Sequence, residues 1–142
     1  MMTHQSNTST IKVFCLQASS PKEKLQKITS IVYEHYEMKK KLLLKTEHQD
    51  ISDYLDKLLW EVPKDSFIPH SLSLPSDSFI IISDLPIIDP SMCSIFNFTK
   101  QPITTSVSKI YEIDDSTSLE RKEIFENKYR YYSREGYHLI SL

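Results

Sequence analysis

Three features of the sequence predict a single-domain α/β fold with three layers. The length of 142 residues suits one domain with its own core. Short apolar segments alternate with amphipathic segments of helical period in the first part of the chain, a pattern typical of parallel βαβ units. Further strand-like segments and a last amphipathic segment follow. We therefore expect a mostly parallel sheet of about five strands with helices on both faces.

Five segments rich in strand-forming residues are the predicted strands. The first has apolar residues on both of its faces, which is typical of a central strand covered by helices on two sides. The five predicted strands span residues 11–17, 41–46, 78–83, 92–98 and 107–113.

Capping residues predict where the first helix begins. Ser20 has the properties of an N-cap, Pro21 suits the first helical position, and Glu23 completes a capping box. The expected buried stripe of this helix is Leu25, Ile28, Val32 and Tyr36.

The second helix has a less definite start. Either Asp50 or Ser52 is expected to cap it, and we expect it to end near Trp60. The predicted buried face consists of Ile51, Tyr54, Leu55 and Leu58.

The third helix has signals at both ends. Thr117 and Glu120 form a second capping box, and the aspartates at 114–115 suit the positive end of a helix dipole. The helix should run to about Arg134, and Gly136 is a natural C′ residue.

The chain shows no sign of a second domain. Residues 1–9 are polar and are predicted to form a flexible N-terminal tail, and residues 10–142 form the single domain. No apolar run has the length of a membrane span, and the start does not have the pattern of a secretory signal. We therefore expect a cytoplasmic protein without membrane contact. Cys15 and Cys93 are interpreted as buried thiols, although a disulfide is possible in principle.

The charge disfavours one kind of ligand, and the glycine content excludes one kind of binding loop. The formal net charge is −2 at pH 7, which disfavours strong direct binding to nucleic acid, since such binding depends on neutralising phosphates. The chain has one glycine, Gly136, so it cannot contain a glycine-rich phosphate-binding loop.

No motif predicts a reaction centre. The sequence has no GxSxG or CxxC, and its histidines do not have metal-site spacing. A cysteine phosphatase would need an arginine six residues after Cys15, where the chain has Pro21. We predict no catalytic residues, no cofactor and no metal. The alternative of a small α/β enzyme or nucleotide-binding protein stays open, because a site can be assembled from scattered residues.

The connector after the second helix combines large aromatic residues with prolines. Pro63 and Pro69 stiffen the chain around Trp60 and Phe67. Such aromatic residues are either part of the core or anchors for a partner, and composition favours the core. His70 is either a loop histidine bonded to the backbone or a contact in a partner-binding surface. No orienting carboxylate accompanies it in the sequence.

The third helix carries tyrosines beside cationic residues. Phe125, Tyr129 and Tyr132 share one stripe, with Arg121 and Lys128 along its flank. One interpretation is an amphipathic helix that packs its rings on the sheet. The other is a surface for a short acidic peptide with an aromatic end, because cations hold carboxylates and rings line an apolar slot.

Two motifs give the chain a family resemblance. The first is Leu55-Asp56-x-x-Leu59-Trp60 followed by Phe67-Ile68-Pro69-His70, and the second is Tyr129-Arg130-x-Tyr132-x-x-x-Gly136-Tyr137-x-Leu139. Together they resemble the chi subunit family of bacterial DNA polymerase III, over roughly residues 11–140.

The resemblance implies a fold and two partners. Proteins similar to chi are Rossmann-like, non-catalytic members of the clamp-loader assembly. One surface binds the psi subunit, and another binds the acidic C-terminal tail of single-stranded DNA-binding protein. By motif position, the implied psi-side residues are Trp60, Phe67, Pro69 and His70. The implied tail-side residues are Arg121, Lys128, Tyr129, Arg130, Tyr132 and Gly136.

Some positions depart from the family pattern. Lys40 and Lys41 occupy a turn that usually contains glycine before the second strand. Glu126 stands where a basic residue is common in the last helix, and Lys128 or Arg121 can compensate for it.

Overall fold

The protein forms one parallel sheet between two layers of helices. In this computed structural model, residues 11–61, 69–72, 78–85 and 94–142 are described. The elements are β1 (Lys12–Ala18), α1 (Pro21–Met38), β2 (Leu42–Lys45), α2 (Gln49–Glu61), β3 (Ile80–Ser83), β4 (Ser94–Asn97), β5 (Lys109–Asp115), α3 (Leu119–Arg134) and β6 (His138–Ser141). The predicted three-layer α/β class is therefore confirmed. None of the described helices has the length and apolar character needed to cross a membrane.

In the part of the chain that the structure describes, the sheet contains six strands in the order β3-β2-β4-β5-β1-β6, and every pairing is parallel. About five strands were predicted from the sequence, and β6 was not among them. It pairs along β1 from Lys12 with His138 to Cys15 with Ser141. β6 has only four residues and follows the third helix almost directly, so it gave little periodic signal.

Each face of the sheet has its own apolar layer. α1 and α2 cover one face, where Val32, Leu55 and Phe96 are fully buried. α3 covers the other face, where Phe125 and Tyr132 pack against strand residues such as Ile95. Because successive strand residues point to opposite faces, one strand supplies both layers. In β5, Tyr111 faces α1 and α2, and Ile110 faces α3.

The observed strands differ from the predicted ones mainly at their ends. β5 begins and ends two residues later than predicted, because its register with β1 pairs Lys12 with Lys109 and Ala18 with Asp115. Asp115 is therefore a strand residue that forms an ion pair with Lys24 at 2.8 Å. Cys15 is a buried free thiol. Cys93 and the predicted tail 1–9 lie outside the described residues.

The first helix cap was predicted correctly and the third was wrong by one residue. Ser20 caps α1 by accepting a hydrogen bond from the Glu23 amide. The N-cap of α3 is Ser118, and not Thr117. Asp115 accepts hydrogen bonds from both the amide and the hydroxyl of Thr117, which removes that hydroxyl from capping.

The second helix begins earlier than expected. α2 starts at Gln49, so neither Asp50 nor Ser52 is its N-cap. The Ser52 hydroxyl is buried and shares a 2.7 Å hydrogen bond with that of Thr46 at the end of β2. Leu55 and Leu58 are buried as predicted, whereas Tyr54 is exposed.

Two helices end in left-handed backbone. After α3, Gly136 has φ of 81°, which confirms its predicted role. After α1, the residue with positive φ is Lys39, at 55°. This conformation costs a residue with a Cβ roughly 1 kcal/mol. In the turn before β2, where the family usually has a glycine, the left-handed residue is therefore Lys39. This position is one residue before Lys40 and Lys41, which were assigned to the turn from the sequence.

Candidate protein-interaction sites on α3 and after α2

The residues predicted for peptide binding on α3 lie on two different faces of the helix. Lys128 and Tyr132 point to the sheet and are buried. Tyr129 and Arg130 lie on the solvent side, whereas Arg121 is exposed in the first turn on the same side of the helix as Lys128, seven residues later. The orientation of the helix on the sheet therefore separates the members of the expected stripe: Phe125 and Tyr132 are buried, and Tyr129 is exposed.

The buried face of α3 is organised around Glu112, a fully buried carboxylate on β5. The Lys128 ammonium donates to its Oε1 at 2.7 Å and to the Thr99 carbonyl at 2.9 Å. The Tyr132 hydroxyl and the Asn97 amide both donate to Oε2, at 2.6 and 2.7 Å. Burial raises the pKa of the Glu112 carboxyl, and these donors, Lys128 first, pull it back down. This network ties α3 to β4 and β5.

Tyr132 also holds the loop between β4 and β5 in place through a hydrogen bond. Its hydroxyl accepts a hydrogen bond from the Ile103 amide at 2.9 Å while it donates to Glu112. Burial, followed by the charge of Glu112, raises the pKa of Tyr132. Every bond of this hydroxyl is thus made inside the protein, and the side chain is only 1% exposed.

Glu112 and Asn97 were not singled out from the sequence. The available signal was a glutamate flanked by apolar residues in a predicted strand, since unpaired carboxylates are rarely buried. Strand alternation places Glu112 on the face of Ile110, which is the face that α3 covers. That its partner is Lys128 follows only from the docking of the helix.

The exposed face of α3 presents a tyrosine and an arginine side by side. Tyr129 is 40% exposed, and its ring lies 5.8 Å from that of Phe125 beneath it. Arg130 is exposed and hydrogen-bonds to Asn127, one turn earlier. This pair therefore offers a ring and a guanidinium to a partner from solvent.

Two further predicted residues lie at the ends of the helix. Arg121, in the first turn, is exposed, and its guanidinium lies 3.8 Å from the Asp115 carboxylate. Gly136 is exposed just after the last turn, with open space around the position of a Cβ. Both lie at the surface, separated by the length of the helix.

A second cluster joins the end of α2 to the loop that follows it. The His70 imidazole lies 2.6 Å from the Asp56 carboxylate, and its side chain is almost fully covered. The carboxylate partner that was not evident in the sequence is thus Asp56, a member of the same motif. The Trp60 ring meets the His70 ring edge-on at 6.1 Å and is 61% exposed. Pro69 is also exposed.

The outcome for this cluster differs between its members. The composition-based preference for Trp60 as a core residue is wrong, because its ring lies at the surface. Its exposure follows from helix phase, since Leu55, Leu58 and Leu59 occupy the buried face of α2. Phe67 and Pro63 lie outside the described residues.

The fold and these two clusters define a class of protein: a three-layer α/β domain with an all-parallel sheet and two candidate interaction sites, each with an exposed aromatic residue. Among the described residues, no group of three or more histidine, cysteine, aspartate or glutamate side chains is arranged to hold a metal ion.

The family model for DNA polymerase III chi subunit, HolC, matches residues 10–140. The chain belongs to the DNA polymerase III chi subunit family. Membership supports an accessory role in DNA replication, in a family of non-catalytic holoenzyme subunits. The family resemblance inferred from the two motifs is confirmed.

Comparison with solved structures adds a likeness of fold. The crystal structure of T4 UvsW matches with a TM-score of 0.57 and 9% sequence identity. The match covers 96% of this chain and 42% of that chain, so this protein spans less than half the length of the UvsW chain. At this identity the likeness shows the fold alone. No curated protein sequence matches the chain significantly.

Proposed function

We propose that this protein is a non-catalytic adaptor of the clamp-loader complex of DNA polymerase III, acting in the cytoplasm. One surface binds the acidic C-terminal tail of single-stranded DNA-binding protein, and another binds the psi subunit. The observation that carries the proposal is the family match over residues 10–140. A net charge of −2 agrees with an adaptor that reaches coated DNA through a protein tail.

The tail surface in this proposal is the exposed side of α3. Tyr129 and Arg130 supply the ring and the charge that an acidic, aromatic-ended peptide requires. Arg121 adds a second cation in the first turn of the helix. Lys128 and Tyr132 both donate hydrogen bonds to Glu112, so they contribute by holding the helix against the sheet. Gly136 ends the helix beside this surface.

The psi surface in this proposal is centred on Trp60. A large exposed ring on a firm support is the usual anchor of a protein interface. The support is the contact of Trp60 with His70, whose imidazole is held by Asp56. Pro69 is exposed beside it, and Phe67 belongs to the same proposed surface by its motif position.

Titration of a labelled Asp-Asp-x-Pro-Phe-type peptide tests the tail surface. We expect saturable binding that weakens with added salt, because charge is part of the recognition. Tyr129→Ala and Arg130→Glu should each reduce affinity about tenfold or more. Tyr33→Ala is the matched control, since Tyr33 is a 43% exposed tyrosine on α1. No binding by the native chain at low salt would refute this part of the proposal.

Co-expression with the psi subunit, followed by gel filtration, tests the second surface. The two chains should elute together, and Trp60→Ala should separate them. Met38→Ala is the control, because Met38 is another large exposed apolar residue, located at the end of α1. Separate elution of the native chains would count against the psi assignment and leave the tail assignment standing.

A further inference from the structure

A crevice of about 300 Å³ opens at the carboxyl ends of the central strands. β2 and β4 are neighbours, and the chain leaves β2 toward β3 on one side and leaves β4 toward β5 on the other. The crevice is lined by residues that follow β2 and β4, such as His48 and Lys100, together with parts of all three helices. In open parallel sheets, such a switch point is where ligands bind.

The walls of the crevice are largely apolar. Side chains from three helices and two strand ends surround it. A ring-sized apolar group bound there would be removed from water on several sides, which favours binding. The apolar and aromatic lining residues are Ile28, Ile51, Tyr54, Phe98, Ile113, Ile124 and Phe125.

The charged lining has an excess of one positive charge. Four cations, Lys24, Lys100, Arg121 and Lys128, line the crevice with two carboxylates, Glu47 and Asp115, and Lys128 is neutralised by Glu112 behind it. Lys24 is paired with Asp115, whereas Arg121 is 3.8 Å from that carboxylate and remains more than half exposed.

Lys100 is the cation most available to a ligand. Its side chain is exposed, and it joins no ion pair within residues 11–61, 69–72, 78–85 and 94–142. The Lys100 amide donates a hydrogen bond to the Glu47 carboxylate at 3.2 Å, which holds this loop against the segment after β2. One excess charge, and no glycine among the lining residues, match one anionic group rather than a pyrophosphate.

We propose that this crevice binds a small organic anion that joins an apolar, ring-sized body to a single carboxylate or phosphate group. The body packs between the apolar walls, and Lys100 and Arg121 hold the anionic group at the rim. Tyr129 and Arg130 are not among the lining residues, and Arg121 is the one residue that the crevice shares with the tail surface proposed above.

Two probes, each with an uncharged counterpart, test this inference by NMR titration of the full chain. Indole-3-acetate and AMP are the anions, and indole-3-acetamide and adenosine are their neutral controls. We expect at least one anion to cause saturable amide shifts at lining residues such as Ile51 and Thr99, with its control about tenfold weaker. Binding by only one anion identifies a carboxylate or a phosphate ligand.

Charge reversal at the rim sharpens the test. Lys100→Glu should weaken binding about tenfold or more, whereas Lys57→Glu, an equal charge change on the exposed side of α2 and outside the crevice, should leave it unchanged. The inference is overturned if neither anion saturates at millimolar concentration or if the shifts lie elsewhere. Equal weakening by both variants would also overturn it, by showing a general charge effect. An unchanged thermal midpoint verifies that Lys100→Glu is folded.

Discussion

The two faces of α3 carry the same residue types in opposite environments, one buried and one exposed. On the sheet side, Lys128 and Tyr132 are buried and bonded to Glu112. On the solvent side, Arg130 and Tyr129 carry the same kinds of group, a cation and a phenol, and remain exposed. The difference shows that a cation or a tyrosine in a helix has no role of its own until its partner is known. In this protein the deciding partner is a carboxylate on β5.

Removal of the buried cation should have the largest effect. Lys128→Met leaves Glu112 buried without its charge partner, so we expect the free energy of unfolding to fall by about 3 to 5 kcal/mol. Arg130→Met, the matched change on the exposed face, should alter it by less than about 0.5 kcal/mol. Urea unfolding measures both. A double variant, Lys128→Met with Glu112→Met, should recover part of the loss, since the uncompensated charge is gone.

The same comparison in the tyrosines should give a smaller effect. Tyr132→Phe removes one donor to Glu112 and leaves the buried Ile103 amide without an acceptor, which should cost about 2 kcal/mol. Tyr129→Phe removes an exposed hydroxyl and should leave the unfolding midpoint almost unchanged. Equal midpoints for the two variants would contradict the division of the helix into a core face and a solvent face.

A buried and an exposed histidine extend the comparison to pH, with the smallest expected effect. The His35 imidazole contacts the Lys40 carbonyl through Nδ1 at 3.1 Å and the Tyr111 hydroxyl through Nε2 at 2.8 Å. A carbonyl only accepts, so Nδ1 carries the proton and Nε2 accepts from Tyr111. Burial lowers the pKa of His35, so the neutral form is favoured in the folded state.

This pKa shift predicts the sign of a pH dependence. Below about pH 6.5, the ordinary histidine pKa, the unfolded chain binds more protons at this position than the folded one does. The His35 contribution is therefore complete above that pH and is lost as the pH falls toward the lowered folded value. Urea unfolding at pH 7.5 and 5.5 should show a smaller difference for His35→Gln than for the native protein. His48→Gln, at an exposed histidine, should retain the native difference.

Helices, strands and family followed from the sequence because they depend on local patterns. The capping residues at Ser20, the apolar periods and the terminal Gly136 act over a few neighbouring residues, so their signals are contiguous in the chain. The cap of α3 was misplaced by one residue because Asp115 competes for the Thr117 hydroxyl. β6 was missed because four residues with half-exposed faces have little pattern.

The sequence indicated which residues belong to the candidate sites, and these assignments stay predictions, but it did not indicate how their side chains are oriented. The motif containing Asp56, Trp60 and His70 was recognised, although the pairing of Asp56 with His70 spans fourteen residues and depends on the loop that returns to α2. The crevice gave no signal, since residues from α1, the β2 and β4 ends and α3 meet there only after folding.

The amino-acid sequence by itself determined the parallel α/β class, the family and the absence of a glycine-rich phosphate loop, because each is a property of composition or of neighbouring residues. The tertiary structure decided which cation is part of the core and which is available to a partner. Lys128 and Arg130 differ by two positions, which is about 200° around a helix, and only the docking of α3 against Glu112 sets which of them faces the sheet.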